Sequence, residues 1–217
     1  VLPLEKVQAL QRFIREWRAR EVLVKHGVPV RNSILLHGPS GNGKTAIAES
    51  LATEMQLKFS VVQTGSIIES WLGSTLRNLQ QLFDFAHSTP AVVLFDECDS
   101  LLTARDRMGG SSAGQEMQRA VNVILAALDG APIDSVFAFA TNFAETLDPA
   151  FLRRMTTALH LDAPSIEGKR ELIARLRRRW SFIRDGAWIQ TALEMPSFAE
   201  CEQVVAEAAR AQLVDGV

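Results

Sequence analysis

Cysteine is scarce in this sequence: Cys98 and Cys201 are the only two in 217 residues. Neither belongs to a Cys-x-x-Cys pair, and neither has neighbours at metal-ligand spacing. Two thiols cannot build a disulfide framework for a chain of this length, so a reducing, cytoplasmic setting is the simpler expectation. Long apolar runs are lacking too; no stretch would span a bilayer and no signal-peptide pattern is visible. Nor does charge of one sign dominate. Lys and Arg number 23 against 25 Asp and Glu, a net charge of -2. That speaks against a nucleic-acid-coating protein but leaves room for a local basic patch. There is no internal repeat and no low-complexity tract. What remains, 47% hydrophobic and 22% charged residues, is the balance of a soluble globular protein. The length suits one large domain, or a large one with a small companion. The abrupt start in an amphipathic segment suggests a piece of a longer protein.

Hydrophobic periodicity organises the chain. Val7, Leu10, Phe13, Ile14 and Trp17 recur at helical spacing and predict a helix from Leu4 to His26. Gly27, Pro29 and Asn32 mark a loop. Short apolar runs then alternate with helical patterns. Strands are predicted at Ser33 to His37, Phe59 to Val62, Ala91 to Phe95, Val136 to Ala140 and Ala158 to Leu161. Helices are predicted at Lys44 to Met55, Leu76 to Ala86 and Gln115 to Leu128, with a loop from Arg105 to Gly114. Such alternation implies an α/β fold with a mostly parallel sheet flanked by helices. After Pro164 only helical patterns remain: Ile166 to Trp180, Trp188 to Leu193 and Phe198 to Leu213. The expected division is an α/β nucleotide-binding part over 1–163, with an N-terminal helix and linker over 1–30, and a small all-helical lid, possible truncation included, over 164–217.

Gly38-Pro39-Ser40-Gly41-Asn42-Gly43-Lys44-Thr45 matches GxxxxGK[ST] in full. Glycines let the backbone wrap an anion that a Cβ would obstruct, and the following helix offers its positive end. Lys44 is placed to reach the terminal phosphates of ATP, and the Thr45 hydroxyl to ligate Mg2+. Val92-Val93-Leu94-Phe95-Asp96-Glu97 is an apolar strand ending in two acids, a poor choice for packing alone. Asp96 fits a magnesium-holding role, through water, and Glu97 the base that positions the attacking water. Asn142 closes the next strand. If that strand neighbours the one bearing Asp96, it can orient the water or sense the terminal phosphate; a strand-capping turn residue is the alternative. Cys98 reads as a small core residue, since acidic neighbours disfavour a thiolate.

Together these residues resemble the AAA family of ATPases over most of the chain. The family's Walker A corresponds to Gly38 through Thr45, its Walker B to Val92 through Glu97, its sensor 1 to Asn142, and its arginine fingers to Arg153 and Arg154. Asp96 through Leu102 resembles DEIDSL, Val121 through Gly130 resembles VNQLLxxLDG, and Leu147 through Ala150 resembles LDPA. The resemblance implies a P-loop sheet with a helical lid, Mg-dependent hydrolysis of ATP to ADP, and a homo-oligomeric, usually hexameric, ring with nucleotide between subunits. Arg153 and Arg154 would act in trans; their pairing is similar to the microtubule-severing branch, and Arg105 is a lesser candidate across the interface. Ser70-Trp71-Leu72-Gly73 resembles the first pore loop, in which Trp71, with Leu72 and Gly73, would grip a polypeptide substrate. Ser197 through Glu202 stands where the family has GFSGAD, with Glu200 and Cys201 replacing the Gly-Ala pair. Arg177 to Arg179 read as a solvated helix face.

The leading expectation is a motor that remodels, unfolds or translocates a protein. The alternatives are an AAA+ protein directed at nucleic acid, such as a helicase loader, and a nucleotide-gated scaffold. Trp71-Leu72-Gly73 and the mild acidity favour the first, and the two acids with the arginine pair speak against a scaffold. A GTPase is disfavoured, because Thr141-Asn142-Phe143-Ala144 is not the guanine-reading NKxD.

Overall fold

The computed structural model describes residues 2–64, 75–102 and 112–214. The chain folds into two compact units. One comprises Gln8–His37 and Lys44–His160; the other comprises Val1–Val7, Gly38–Gly43 and Leu161–Val217.

The first unit is built on a five-stranded sheet: β1 (Ser33–His37), β2 (Lys58–Gln63), β3 (Ala91–Asp96), β4 (Val136–Thr141) and β5 (Thr157–His160), in the order β2-β3-β4-β1-β5. All neighbours are parallel. Parallel strands covered on both faces are buried on both faces, so they read as continuous apolar runs rather than alternations. β4 is buried at every position and β3 at all but Asp96, whereas β2, on an edge, has no buried position. Phenylalanines tie the layers together. Phe95 stacks on Phe139 with ring centres 4.8 Å apart, and Phe139 meets Phe151 edge-on at the same separation. Helices Thr75–Ser88 and Ser112–Asp129 contribute Phe83, Val121 and Ile124 to this core.

Every strand begins and ends within two residues of its sequence expectation. Three features differ. The N-terminal helix is interrupted: Leu4–Arg18 and Arg20–Lys25 are separate helices. The N–H of Ala19 is shared between the carbonyls of Arg15 and Glu16, both at 3.1 Å, which tightens the last turn. Phe13 and Trp17 are buried before the break, and no residue of Arg20–Lys25 is buried after it. Helix Ser112–Asp129 begins inside the expected loop, so residues 112–114 are helical. Short helices Asp99–Leu102 and Pro149–Leu152 also form. The second starts because Asp148 accepts the Ala150 N–H at 2.6 Å and Pro149 occupies the first turn.

The second unit holds helices Ile166–Arg179, Trp188–Glu194 and Phe198–Val214. They close over Ile173, Leu176, Ile183, Ala192, Cys201 and Val205. Lys169 is buried here and donates to the Leu193 carbonyl at 2.7 Å, which satisfies its ammonium.

Candidate functional site

The glycine loop belongs to the second unit. Gly38 has φ 134° and Gly43 φ 87°, backbone states that favour glycine. A Cβ on Gly38 would lie 2.2 Å from the Leu161 carbonyl oxygen, whereas one on Gly43 would enter open space. The carbonyl of Gly41 accepts the N–H of Ala199 at 3.0 Å, joining the loop to the start of helix Phe198–Val214. That helix start carries a reciprocal cap: the Glu200 N–H donates to Ser197 Oγ at 3.2 Å, and Ser197 Oγ donates to Glu200 Oε1 at 2.8 Å. Here lies the physical reason for Glu200 in place of a small residue. Cys201, the next departure from the family pattern, is a fully buried core side chain. A cavity of about 490 Å³ opens in this unit, lined by Leu2, Lys6, Asn42, Leu161, Glu171 and Phe198 among others. Asn42 is 5% exposed, and among the described residues its amide nitrogen and oxygen have no hydrogen-bond partner.

At the C-terminal ends of β3 and β4, Lys44, Thr45, Asp96 and Asn142 of the first unit come together. Helix Lys44–Met55 supplies Lys44 and Thr45 at its start. Lys44 Nζ donates to Asn142 Oδ1 at 2.7 Å, and Thr45 Oγ1 donates to Asp96 Oδ2 at 2.9 Å. Burial pushes the Lys44 ammonium below its ordinary value, and the nearby charges of Asp96 and Asp99 partly oppose this. β3 and β4 are neighbours, the condition on which Asn142, one residue beyond β4, lies beside the strand of Asp96. Behind them, Thr141 donates to Asp99 at 2.7 Å and accepts the Phe143 N–H at 2.9 Å, fixing the backbone on both sides of Asn142. Thr45 and Asp96 offer adjacent oxygen donors of the hard type that Mg2+ takes alongside water and phosphate. Among the described residues no larger cluster of metal-ligating side chains occurs.

Glu97 adopts φ 53°, a left-handed state uncommon for a residue with a Cβ. Thr64, fully buried after β2, directs its hydroxyl at the carbonyls of Asp96, 2.8 Å away, and Glu97, 2.7 Å away. Sequence reasoning did not single out Thr64; a polar residue ending a strand was the available signal.

The arginine pair is split in its contacts. Arg154 forks onto Asp129, with Nε to Oδ1 and Nη2 to Oδ2 both at 2.8 Å, and Nη1 reaches the Ala150 carbonyl at 2.9 Å. The Asp129 carboxyl is accordingly held below its usual range, first by the hydrogen bond from Arg154. Arg153 is exposed, and among the described residues its side chain makes no hydrogen bond or ion pair. Arg177 pairs with Asp185 at 2.8 Å on the surface. Burial raises the Cys98 thiol well above its ordinary value, and the charges of Asp99 and Asp96 add to this. Trp71, Leu72, Gly73 and Arg105 lie outside the described residues.

Comparison with known proteins places this geometry. The family model for "ATPase family associated with various cellular activities (AAA)" matches residues 34–163. An uncharacterized AAA family ATPase, y4kL, of Sinorhizobium fredii is 34% identical over 99% of this chain and 64% of its own length. The 26S proteasome regulatory subunit 8 homolog of Schizosaccharomyces pombe is 32% identical over 94% of this chain and 54% of its own length. Peroxisomal ATPase PEX6 of Arabidopsis thaliana is 35% identical over 81% of this chain but only 19% of its own length. The chain thus spans less than two thirds of each of these relatives. In fold, it superimposes on the FIGL-1 AAA domain in complex with ADP with a TM-score of 0.75, at 24% identity, covering 98% of this chain and 72% of that one. With the family model covering most of the sheet and the glycine loop, the chain belongs to the AAA family of ATPases.

Proposed function

We propose that this chain binds ATP with Mg2+ and hydrolyses it as the motor core of a protein-remodelling machine. The observation that carries the reading is the double pairing at one end of the sheet: Lys44 with Asn142, and Thr45 with Asp96. A phosphate-binding cation and a metal-binding hydroxyl each meet a partner suited to terminal-phosphate chemistry. The amides of residues 38–43 serve the phosphates, and the cavity lined by Leu2, Asn42 and Phe198 is the place for the base. Thr45 and Asp96 would hold the ion, the latter through water, and Mg2+ would neutralise charge on the phosphate oxygens. Glu97 orients a water molecule and accepts its proton as the oxygen attacks the γ-phosphorus, and ADP departs with the bridging oxygen. Asn142 steadies that water or the phosphate it approaches.

Arg153 and Arg154 complete the site of a neighbouring copy in a hexameric ring, where an arginine finger contributes about 10³ to 10⁵ in rate. Trp71, Leu72 and Gly73 engage a polypeptide, so that turnover around the ring moves it. The name of one relative, a proteasome regulatory subunit homolog, accords with work on proteins.

The test is ATPase rate per subunit against protein concentration, beside Glu97→Gln. The reading requires that the rate per subunit rise with concentration, and that the variant bind ATP without turning it over. A flat profile with monomer by mass would refute sites completed between copies. A fully active Glu97→Gln would refute the assignment of the base.

A further inference from the structure

The two acids that end β3 lie on a backbone that turns sharply. Glu97, at φ 53°, occupies a left-handed state that is strained for a residue with a Cβ. Such a state persists only where the surroundings over-determine it. Two contacts do so, one from β4 and one from the residue that follows β2. On the β4 side, the N–H of Cys98 donates to the Ala140 carbonyl at 2.9 Å. On the β2 side stands Thr64, its hydroxyl 2.8 Å from the Asp96 oxygen and 2.7 Å from the Glu97 oxygen. Consecutive carbonyls in extended backbone point to opposite sides, so both can meet one donor only where the chain reverses between them. A hydroxyl has a single hydrogen, and here it is shared between them. Thr64 is 0% exposed, so solvent does not compete for that hydrogen.

We propose that Thr64 is a positioning residue for hydrolysis. Its hydroxyl holds the turn at Asp96 and Glu97, and so sets the direction in which the Glu97 carboxylate leaves the backbone. The Cα–Cβ bond of Glu97 swings with φ; release into the right-handed region would re-aim the carboxylate. Asp96 precedes the turn on a strand fixed by its neighbours, and its Oδ2 keeps Thr45. The hydroxyl therefore governs turnover more than nucleotide binding. The inference rests on the proposed role of Glu97 as base.

The experiment compares Thr64→Val, which keeps the shape and removes the hydroxyl, with Thr64→Ser, which keeps the hydroxyl, and with Glu97→Gln. Readouts are steady-state kcat, affinity for a fluorescent ATP analogue with Mg2+, and Tm. A misplaced reacting group costs up to about 10²-fold, so valine is expected to lower kcat by about tenfold or more. Analogue affinity should stay within about twofold, and serine should restore kcat to within about twofold of the parent, as expected when ground-state binding is untouched. Unchanged kcat in valine overturns the inference. So does a parallel loss of kcat, affinity and Tm that serine fails to reverse, which marks a packing role. If valine does not fold, serine decides: near-parental kcat supports the hydroxyl, and a tenfold loss overturns it. Full turnover in Glu97→Gln overturns the base itself, and is distinct from a failure at Thr64 alone.

Discussion

Lys44 and Asn142 are joined by a 2.7 Å hydrogen bond that links the helix after the glycine loop to the residue closing β4. The cation of one motif is held by the polar residue of another, 98 positions away in sequence. Asn142→Asp would set a carboxylate against the Lys44 ammonium and cancel its charge towards phosphate. Asn142→Ala would only release it. In a titration with a fluorescent ATP analogue, the aspartate variant should lose affinity about tenfold or more, one such step being about 1.4 kcal/mol. The alanine variant should bind within a few-fold of the parent and lose turnover by a factor on the order of 10², as for a removed positioning group.

The fork between Asp129 and Arg154 sets the two arginines apart. Arg154 is held by Asp129, whereas Arg153 is exposed and makes no side-chain hydrogen bond or ion pair among the described residues; if both serve a neighbouring copy as proposed, Arg153 carries the larger share. Arg153→Ala should cut turnover of the assembled protein by about 10³ while leaving Tm unchanged. Asp129→Asn should lower turnover less, by loosening Arg154, and should also leave Tm nearly unchanged, since the pair is exposed. The Asp129 carboxyl is depressed in the folded chain, so the fork's contribution is present above the ordinary aspartate range and fades only as pH falls through the lowered value. The difference between parent and Asp129→Asn should accordingly be constant from about pH 6 to 9.

Gly38 touches the backbone of Leu161 too closely for any side chain. Gly38→Ala should abolish analogue binding, because the contact is with a carbonyl that cannot turn aside, and φ 134° is itself strained for alanine. Gly43→Ala meets no neighbour, so its defect should be confined to affinity, with Tm lowered by no more than a few degrees. Thermal scans with and without ATP separate the two.

Cys98 should be chemically silent. Its folded thiol is raised by burial and by Asp99 and Asp96, so the thiolate that reacts with maleimide is scarce at pH 8. Labelling followed by mass spectrometry should show Cys98 unmodified in the native chain and modified in urea. The linkage has a definite sign. As pH rises past the ordinary thiol value of about 8.5, the unfolded chain ionises before the folded one, and stability falls.

Ser197→Ala removes both halves of the reciprocal cap on helix Phe198–Val214 and should cost about 1 kcal/mol. Glu200→Gln keeps an acceptor for Ser197 Oγ and should cost less. Urea unfolding followed by circular dichroism gives both values.

The sheet and the acids were legible in the sequence because their causes are local. Val92 to Phe95 is apolar without a break since both faces of β3 are covered, and the run ends where Asp96 leaves the core. The expectation for Asn142 rests on the same pattern, which β4 repeats as the neighbour of β3. What sequence could not supply was pairing at a distance. Asp129 and Arg154 are 25 residues apart, one ending helix Ser112–Asp129 and the other in the turn after helix Pro149–Leu152, and neither residue type announces a partner. Thr64 sits at a strand end like many threonines; its meaning comes only from the carbonyls of Asp96 and Glu97. The break at Ala19 was hidden because alanine favours a helix, and the cause is the loss of a packing surface after Trp17. Glu200 was visible as a departure from the family, but its reason, a reciprocal cap with Ser197, is a matter of hydrogen-bond geometry.

The strand order carries a further consequence for how the molecule is made. β1 leads directly into the glycine loop, yet its neighbours in the sheet come much later: Ser33 aligns with Phe137, and Ile34 with Thr157. As the polypeptide leaves the ribosome, Ser33 to His37 emerges early and stays without a sheet partner until β4 follows. Long-range parallel pairing of this kind closes slowly and leaves apolar strand exposed meanwhile. A nascent chain arrested before residue 136 carries the whole phosphate-loop sequence and has nothing to frame it.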